Sequence, residues 1–268
     1  MTGRQGTIGD VFSAGAQEFH QWSPALWDPV GEATAAAAGP APGESVLDAC
    51  CGAGASALPA ARAVGPRGRV DAVDLAGALL EIGERRAADQ GLANIRFHRH
   101  EVTSWPRSGY DVVQCALGVF FFPDMDRDTT ALTRLLRPGG RLVVTVWERG
   151  ALGGWWAAFR AAVETERTWP DAPQARQLAR VDTADSLAAW LAHLGGTGPR
   201  VARHRFDTPL TPGTAWDLAV GSGTRGLLTG LSPAAVERVR AEFTARLAAA
   251  DVTDLDARVL TGMARFSV

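Results

Sequence analysis

A chain of 268 residues with 46% hydrophobic content can bury a sizeable core in one large domain and still carry an inserted cap. Its formal net charge of -2 and pI near 6.2 lack the footprint of a nucleic-acid binder and favour a small, roughly neutral partner. All 27 basic residues are Arg, which excludes Lys as a general base or Schiff-base former.

Three Cys, two of them adjacent, make a poor disulfide framework. Met1 to Asp10 shows no basic-then-apolar leader, and no apolar run approaches the ~20 residues of a membrane-spanning helix. The expectation is a reduced, cytoplasmic protein without membrane attachment.

Residues 1–45 carry Phe12, Phe19, Trp22, Leu26 and Trp27 among polar residues and end in the breaker-rich run Gly39 to Gly43. That composition predicts a helical lid packed on the core and covering the site that follows. From Val46 short apolar runs alternate with helix-like stretches, the pattern of parallel strands joined by crossover helices. Strands are expected at Val46 to Ala49, Arg69 to Asp74, Asn94 to His100, Tyr110 to Leu117 and Arg141 to Trp147. The intervening helices are Ser56 to Val64, Gly77 to Gln90 and Asp126 to Leu136, the last stopped by Pro138-Gly139-Gly140.

After Trp147 the periodicity changes. Trp155, Trp156, Phe159 and Val163 recur at helical spacing, and the stretch Pro170 to Pro173 breaks it, so 148–180 is expected to be a helical cap insert. A helix from Thr183 to Leu194, a strand from Arg200 to Phe206, helices within Thr211 to Ala249 and a strand from Arg258 to Phe266 then complete the sheet over 181–268.

Gly52, Gly54 and Ala57 formally satisfy the G-x-G-x-x-A dinucleotide pattern, and Asp74 lies about 20 residues on, where a ribose-binding acid belongs. Charge separates the possible cofactors. Asp48, just ahead of the glycines, would repel a pyrophosphate but attract the ammonium and sulfonium of S-adenosylmethionine.

With these residues the chain resembles the class I S-adenosylmethionine-dependent methyltransferases, in the small-molecule branch of ubiquinone, menaquinone and natural-product methyltransferases. The likeness covers 42–147 and rests on the run Pro42 to Gly54, on Val73-Asp74-Leu75 with Leu79-Leu80, on Glu101-Val102, on Tyr110 to Ala116 and on Leu135 to Leu142. It implies an α/β, Rossmann-like, seven-stranded sheet in the order 3-2-1-4-5-7-6 with the last strand antiparallel. It also implies S-adenosyl-L-methionine as cofactor. Asp48 and the Ala49, Cys50, Gly52 and Gly54 backbone would hold its methionine end, and Asp74 its ribose hydroxyls. Leu75 and Leu79 would flank adenine, Glu101 and Val102 would meet the exocyclic amine, and Cys115 would close the pocket.

Three departures stand out. Cys50 occupies the place of the family's first loop glycine, which predicts an ordinary φ there or a backbone held farther from the ligand. Phe120, Phe121 and Phe122 replace a His pair common after strand four, so any base comes from elsewhere. The Asp/Asn-Pro-Pro-Tyr motif of amino-directed nucleic-acid methyltransferases is absent, which argues against base methylation.

His20 in the lid and Glu148 past strand five are the candidate bases. His98, His100, His193 and His204 have structural roles as the simpler reading. Cys50, Cys51 and Cys115 lack metal-ligand spacing and are expected to be buried as small apolar groups, with no metal site. Phe19, Trp22, Phe120, Trp147 and Trp155 are expected to enclose an apolar, aromatic or polyketide-like acceptor, although aromatic stripes at helical spacing are usually core. The expected partner is that small molecule, with homodimerisation left open. The alternatives are a protein using S-adenosylmethionine for a non-methylating step and an NAD-dependent oxidoreductase.

Overall fold

The computed structural model describes residues 7–169 and 172–267; the expectations for the first six residues and for a break at Pro170 lie outside them. Among the described residues seven strands form one sheet: β1 (Ser45–Ala49), β2 (Arg69–Asp74), β3 (Ile95–Arg99), β4 (Tyr110–Ala116), β5 (Leu136–Trp147), β6 (Thr197–Pro209) and β7 (Asp254–Phe266). Their order is β3-β2-β1-β4-β5-β7-β6. The first five are parallel, and β7 runs antiparallel to both neighbours. This is the expected topology.

Its cause is legible locally. Val46, Leu47, Val112, Val113, Val143 and Val144 are buried on both faces, as central parallel strands require. The crossover helices α4 (Ala57–Val64), α5 (Gly77–Asp89) and α6 (Met125–Thr133) return the chain so that every parallel strand ends on one edge. Asp48, Asp74 and Cys115 are thereby gathered at or beside the carboxyl ends of adjacent strands.

Several boundaries differ from expectation: β5 and β6 are longer than expected, β6 running from Thr197 to Pro209, and two further shifts have a clear cause. The helix expected to reach Leu136 stops at Thr133, because Leu136 is buried and pairs with Tyr110 before an irregularity that Gly139, at φ +78°, accommodates. The last strand starts at Asp254 rather than Arg258. Leu255, Ala257 and Val259 alternate into the core there, a period-2 signal masked in sequence by Asp254, Asp256 and Arg258 on the other face.

A second, helical layer covers the carboxyl edge. It comprises α1 (Ile8–Ala14), α2 (Ala16–Gln21), a π-helical turn at Ser23–Trp27, α7 (Gly153–Val163), α8 (Pro173–Leu178), α10 (Pro212–Gly221) and α11 (Pro233–Ala249), while α3 (Asp28–Ala38) lies along the sheet against β4, β5 and β7, and α9 (Ala184–His193) packs beside β6 and β7. Trp22, Leu26, Trp27, Trp155, Phe159, Trp216 and Phe243 share its apolar interior. The cover therefore draws on 212–249 as well as on 148–180. Indole N–H groups fix it to the backbone: Trp22 donates to Thr214 O and Trp155 to Ala215 O, both at 3.0 Å. Among the described residues no helix is long and apolar enough to cross a membrane.

Candidate functional site

The site begins where β1 runs out. Asp48 is 0% exposed and accepts from Ser56 Oγ at 2.7 Å and Gln114 Nε2 at 3.1 Å through Oδ2, while Oδ1 has no partner. Burial raises its pKa to about 7, with Asp74 adding to the rise against the two hydrogen bonds. The chain then turns through Cys50, Gly52 and Gly54, with φ +57°, +52° and +84°. The expectation of an ordinary φ at Cys50 is thus corrected: it adopts the left-handed conformation that its glycine counterpart would take at no cost, at a strain of about 1–2 kcal/mol. Gly118 makes room for this, since a Cβ there would lie 2.6 Å from Cys115 Sγ and 2.7 Å from Cys50 Cβ. A hydrogen bond with the neighbouring Cys115 thiol, followed by burial, pushes the Cys50 thiol pKa up, so it stays protonated.

Asp74 ends β2 beside this turn. Its Oδ2 accepts from Gly52 N and its Oδ1 from Ala76 N, both at 2.8 Å, and burial raises its pKa despite these bonds. Leu79 is buried near Gly52, and Leu75 carries the close contact of Gly9 from α1. Val102 is buried, whereas Glu101 is exposed and caps the 3-10 turn Val102–Ser104 by accepting from Thr103 N at 3.4 Å. Two acidic groups and an unpartnered carboxyl oxygen around a glycine turn suit a ligand bearing an ammonium and a diol. A pyrophosphate would face both carboxyls.

The N-terminal segment lies over the turn. The Phe19 ring stands within 3.6 Å of where a Gly52 Cβ would be, and stacks on Trp27 at 4.8 Å between centroids. Arg86 of α5 latches the two parts together, donating to Ala53 O at 3.0 Å and to both Asp28 carboxylate oxygens at 2.7 Å. Gly31 of α3 sits directly on the Ala55 backbone, where a Cβ would meet it at 2.2 Å.

An aromatic wall adjoins the turn, only partly as the sequence suggested. Phe19 and half-buried Trp147 belong to it, Trp147 edge-on to Trp27 at 6.5 Å. Phe120 instead points into the core beneath, and half-buried Phe121 takes its place, meeting Phe12 edge-on at 5.6 Å. Trp22 is buried with its N–H spent on Thr214. Trp155, 2% exposed, stacks on Phe159 at 5.4 Å and meets Phe243 edge-on. Both pack the helical layer, because each completes an interior of Phe and Leu side chains. The sequence does not single out Leu117, Arg86 or Gln114; it marks Phe12 and Trp27 only as lid aromatics, and Phe121 only as part of the run that replaces a His pair.

Of the candidate bases, His20 is exposed on α2 with Nδ1 3.2 Å from Ser23 Oγ, and desolvation together with Arg86 lowers its pKa, keeping the ring neutral near pH 7. Glu148 is paired with Arg203 at 2.8 Å. A free carboxylate base is therefore not what β5 presents. Among the described residues no group of three or more His, Cys, Asp or Glu converges as a metal site.

Over 108 residues, 40% of this chain and 39% of the relative, the sequence is 36% identical to nocamycin O-methyltransferase of Saccharothrix syringae. Over 140 residues, 52% of this chain and 64% of the relative, it is 29% identical to aklanonic acid methyltransferase DauC of a Streptomyces species. The chain thus spans less than two thirds of the length of each of these curated relatives. The YcgJ protein of Bacillus subtilis shares the fold, with a TM-score of 0.57 at 15% identity over 89% of this chain and 98% of that one. The model of the ubiE/COQ5 methyltransferase family matches residues 21–163, more than half of the sequence, and the chain belongs to that family.

Proposed function

We propose that this protein transfers a methyl group from S-adenosyl-L-methionine to a small, apolar or aromatic metabolite of natural-product or quinone-like character. The observation that carries the reading is the pair Asp48 and Asp74 on either side of the Cys50 to Gly54 turn, one with an unpartnered buried oxygen and neither suited to a phosphate. In this assignment Asp48 and the turn backbone hold the methionine end and Asp74 accepts from the ribose hydroxyls, as an acceptor-only group can. Leu75, Leu79, Glu101, Val102 and Cys115 surround the nucleoside. The bound cofactor supplies a methyl group activated by sulfonium. The chain's own contribution is proximity, orientation and exclusion of water by Phe12, Phe19, Trp27, Phe121 and Trp147.

His20, neutral near pH 7, is the base of choice for a hydroxyl acceptor. Glu148 would have to leave Arg203 first. We place the enzyme in the cytoplasm, acting on a free metabolite rather than on nucleic acid, with 1–45 as lid and 148–180 as cap; whether it dimerises is a matter for sedimentation.

Calorimetry with S-adenosylmethionine, S-adenosylhomocysteine and NADH tests the cofactor. The first two bind, NADH does not, and Asp74→Ala loses about 100-fold in affinity, from two charge-assisted hydrogen bonds at ~1.5 kcal/mol each. Wild-type affinity in that variant would refute the ribose assignment. Release of S-adenosylhomocysteine in an acceptor screen separates methyl transfer from a non-methylating use of the cofactor.

A further inference from the structure

Gln114 lies inside β4, directly in register with Asp48 of β1, so the two side chains leave the sheet on the same face. It is 0% exposed, and its neighbours Val113 and Cys115 are what a central strand ordinarily carries. Its Nε2 donates to Asp48 Oδ2, which Ser56 Oγ also reaches, yet its Oε1 has no partner and neither does Asp48 Oδ1. A buried amide with half its hydrogen-bonding capacity unmet is costly, and packing alone gives no reason to keep one.

We propose that Gln114 and Ser56 are positioning residues that hold the Asp48 carboxyl with Oδ1 presented to the cofactor's ammonium group, and that cofactor binding drives a proton off Asp48. The inference rests on the assignment of Asp48 to the methionine end of the cofactor. Gln114 fits both protonation states. Beside an ionised Asp48 its N–H donates to Oδ2; beside a neutral one the proton sits on Oδ2, and the amide, turned over, accepts it through Oε1. The carboxyl oxygen–hydrogen bond breaks, the proton leaves to solvent, and the incoming ammonium supplies the charge that burial withheld. The groups facing Asp48 are consistent with this. Asp74 from β2 adds negative charge, the Cys51 thiol in the turn stays protonated, and Ser56 and Gln114 are neutral donors. Burial puts the free carboxyl's pKa near neutrality, where such an exchange registers.

The test is calorimetry of S-adenosylhomocysteine, which carries the same ammonium, from pH 6 to 8.5 in two buffers of different ionisation enthalpy. Wild-type protein releases protons on binding near pH 7, and its affinity rises with pH by up to tenfold per unit below the Asp48 pKa. Gln114→Leu removes a charge-assisted donor to the ionised form, a larger loss than the acceptor it removes from the neutral form, so its affinity profile moves to higher pH. The deficit is about tenfold at pH 7 and shrinks by pH 8.5. Ser56→Ala moves the profile the same way and serves if Gln114→Leu fails to fold. A uniform loss at every pH, or proton release absent from wild type, overturns the proposal while leaving the cofactor reading intact. Wild-type affinity in Asp48→Asn shows instead that the underlying assignment has failed.

Discussion

Removing the Phe19 ring should speed cofactor entry. The ring faces Gly52 of the turn and packs beside Leu79 of α5 on one side and stacks on Trp27 on the other, so it holds the N-terminal segment down over the turn. Truncating a fully buried Phe costs about 3–5 kcal/mol, and a half-buried ring roughly half of that. Phe12 and Trp27 belong to the same segment and move with it, so only the contacts across to the turn, about 1–1.5 kcal/mol, bias the segment toward closure. Losing 1.4 kcal/mol raises an open population about tenfold, and the observed association rate scales with that population. Stopped-flow tryptophan fluorescence with S-adenosylhomocysteine should therefore show Phe19→Ala associating about tenfold faster, while acceptor turnover falls because the aromatic wall is breached. Arg86→Met, which releases Asp28 and Ala53, should act in the same direction. An association rate equal to wild type, in a variant of normal thermal stability, would refute the claim that this segment gates the turn.

Trp155→Ala should lose about 4 kcal/mol of stability, a Tm fall of about 10 °C, because a fully enclosed indole is deleted; a stable variant that fails only in acceptor binding would return Trp155 to the pocket. Gly31→Ala should lower Tm and weaken S-adenosylhomocysteine together, since the added Cβ meets the Ala55 backbone at 2.2 Å and nothing flexible can give way. Normal affinity there would mean that α3 does not set the turn. Glu44 holds the buried Arg141 guanidinium, and that pairing keeps its carboxyl pKa low, as Arg137 and Ser45 do for Asp111. A depressed folded pKa gives stability that is present above the ordinary carboxylate range and lost as pH falls through it, so Tm should hold from pH 7 to about 5 and fall below about 4. Glu44→Gln should remove about 3 kcal/mol at neutral pH by leaving Arg141 unpaired, and should flatten that acid limb. Asp48 has the opposite sign. Its folded pKa of about 7 lies above the usual 3.8, so its ionisation erodes stability as pH rises between them, and Asp48→Asn should gain more in Tm at pH 8 than at pH 5.

The sheet was readable from sequence because its signals are local. Gly-Pro punctuation at Gly65 to Gly68, an apolar run at each strand and acids opening α6 each specify one element, and the right-handed crossover rule leaves few ways to join them. The turn was readable for the same reason. The start of β7 and both ends of β6 were not, since charged residues on an exposed face hide the alternation beneath. Nor was the division of the aromatics. Phe120 and Phe121 are adjacent and chemically identical, and only the 3-10 turn Val119–Phe121 sends one into the core and the other toward Phe12. Trp155 and Trp147 likewise differ in tertiary surroundings, which spacing does not encode. Glu148 looked like a free carboxylate at a strand end until Arg203, 55 residues on, arrived from β6.

Half of the described residues that defy local expectation, in backbone or in unpartnered buried polar atoms, converge on one place. Four non-glycine residues have positive φ among those described, and two of them, Cys50 and Leu117, stand one position beyond β1 and β4 on neighbouring strands. Between those ends lie the acid with an unpartnered oxygen, Asp48, and the half-satisfied amide, Gln114. Strained backbone and an unpaired buried acid each cost on the order of 1–3 kcal/mol, and a sequence under selection for stability alone would shed them with a glycine at 50 and an apolar residue at 114. Their survival side by side at a single strand-end junction is what packing cannot explain and a cationic ligand can, because its ammonium would meet Asp48 in the one state where the buried charge is repaid.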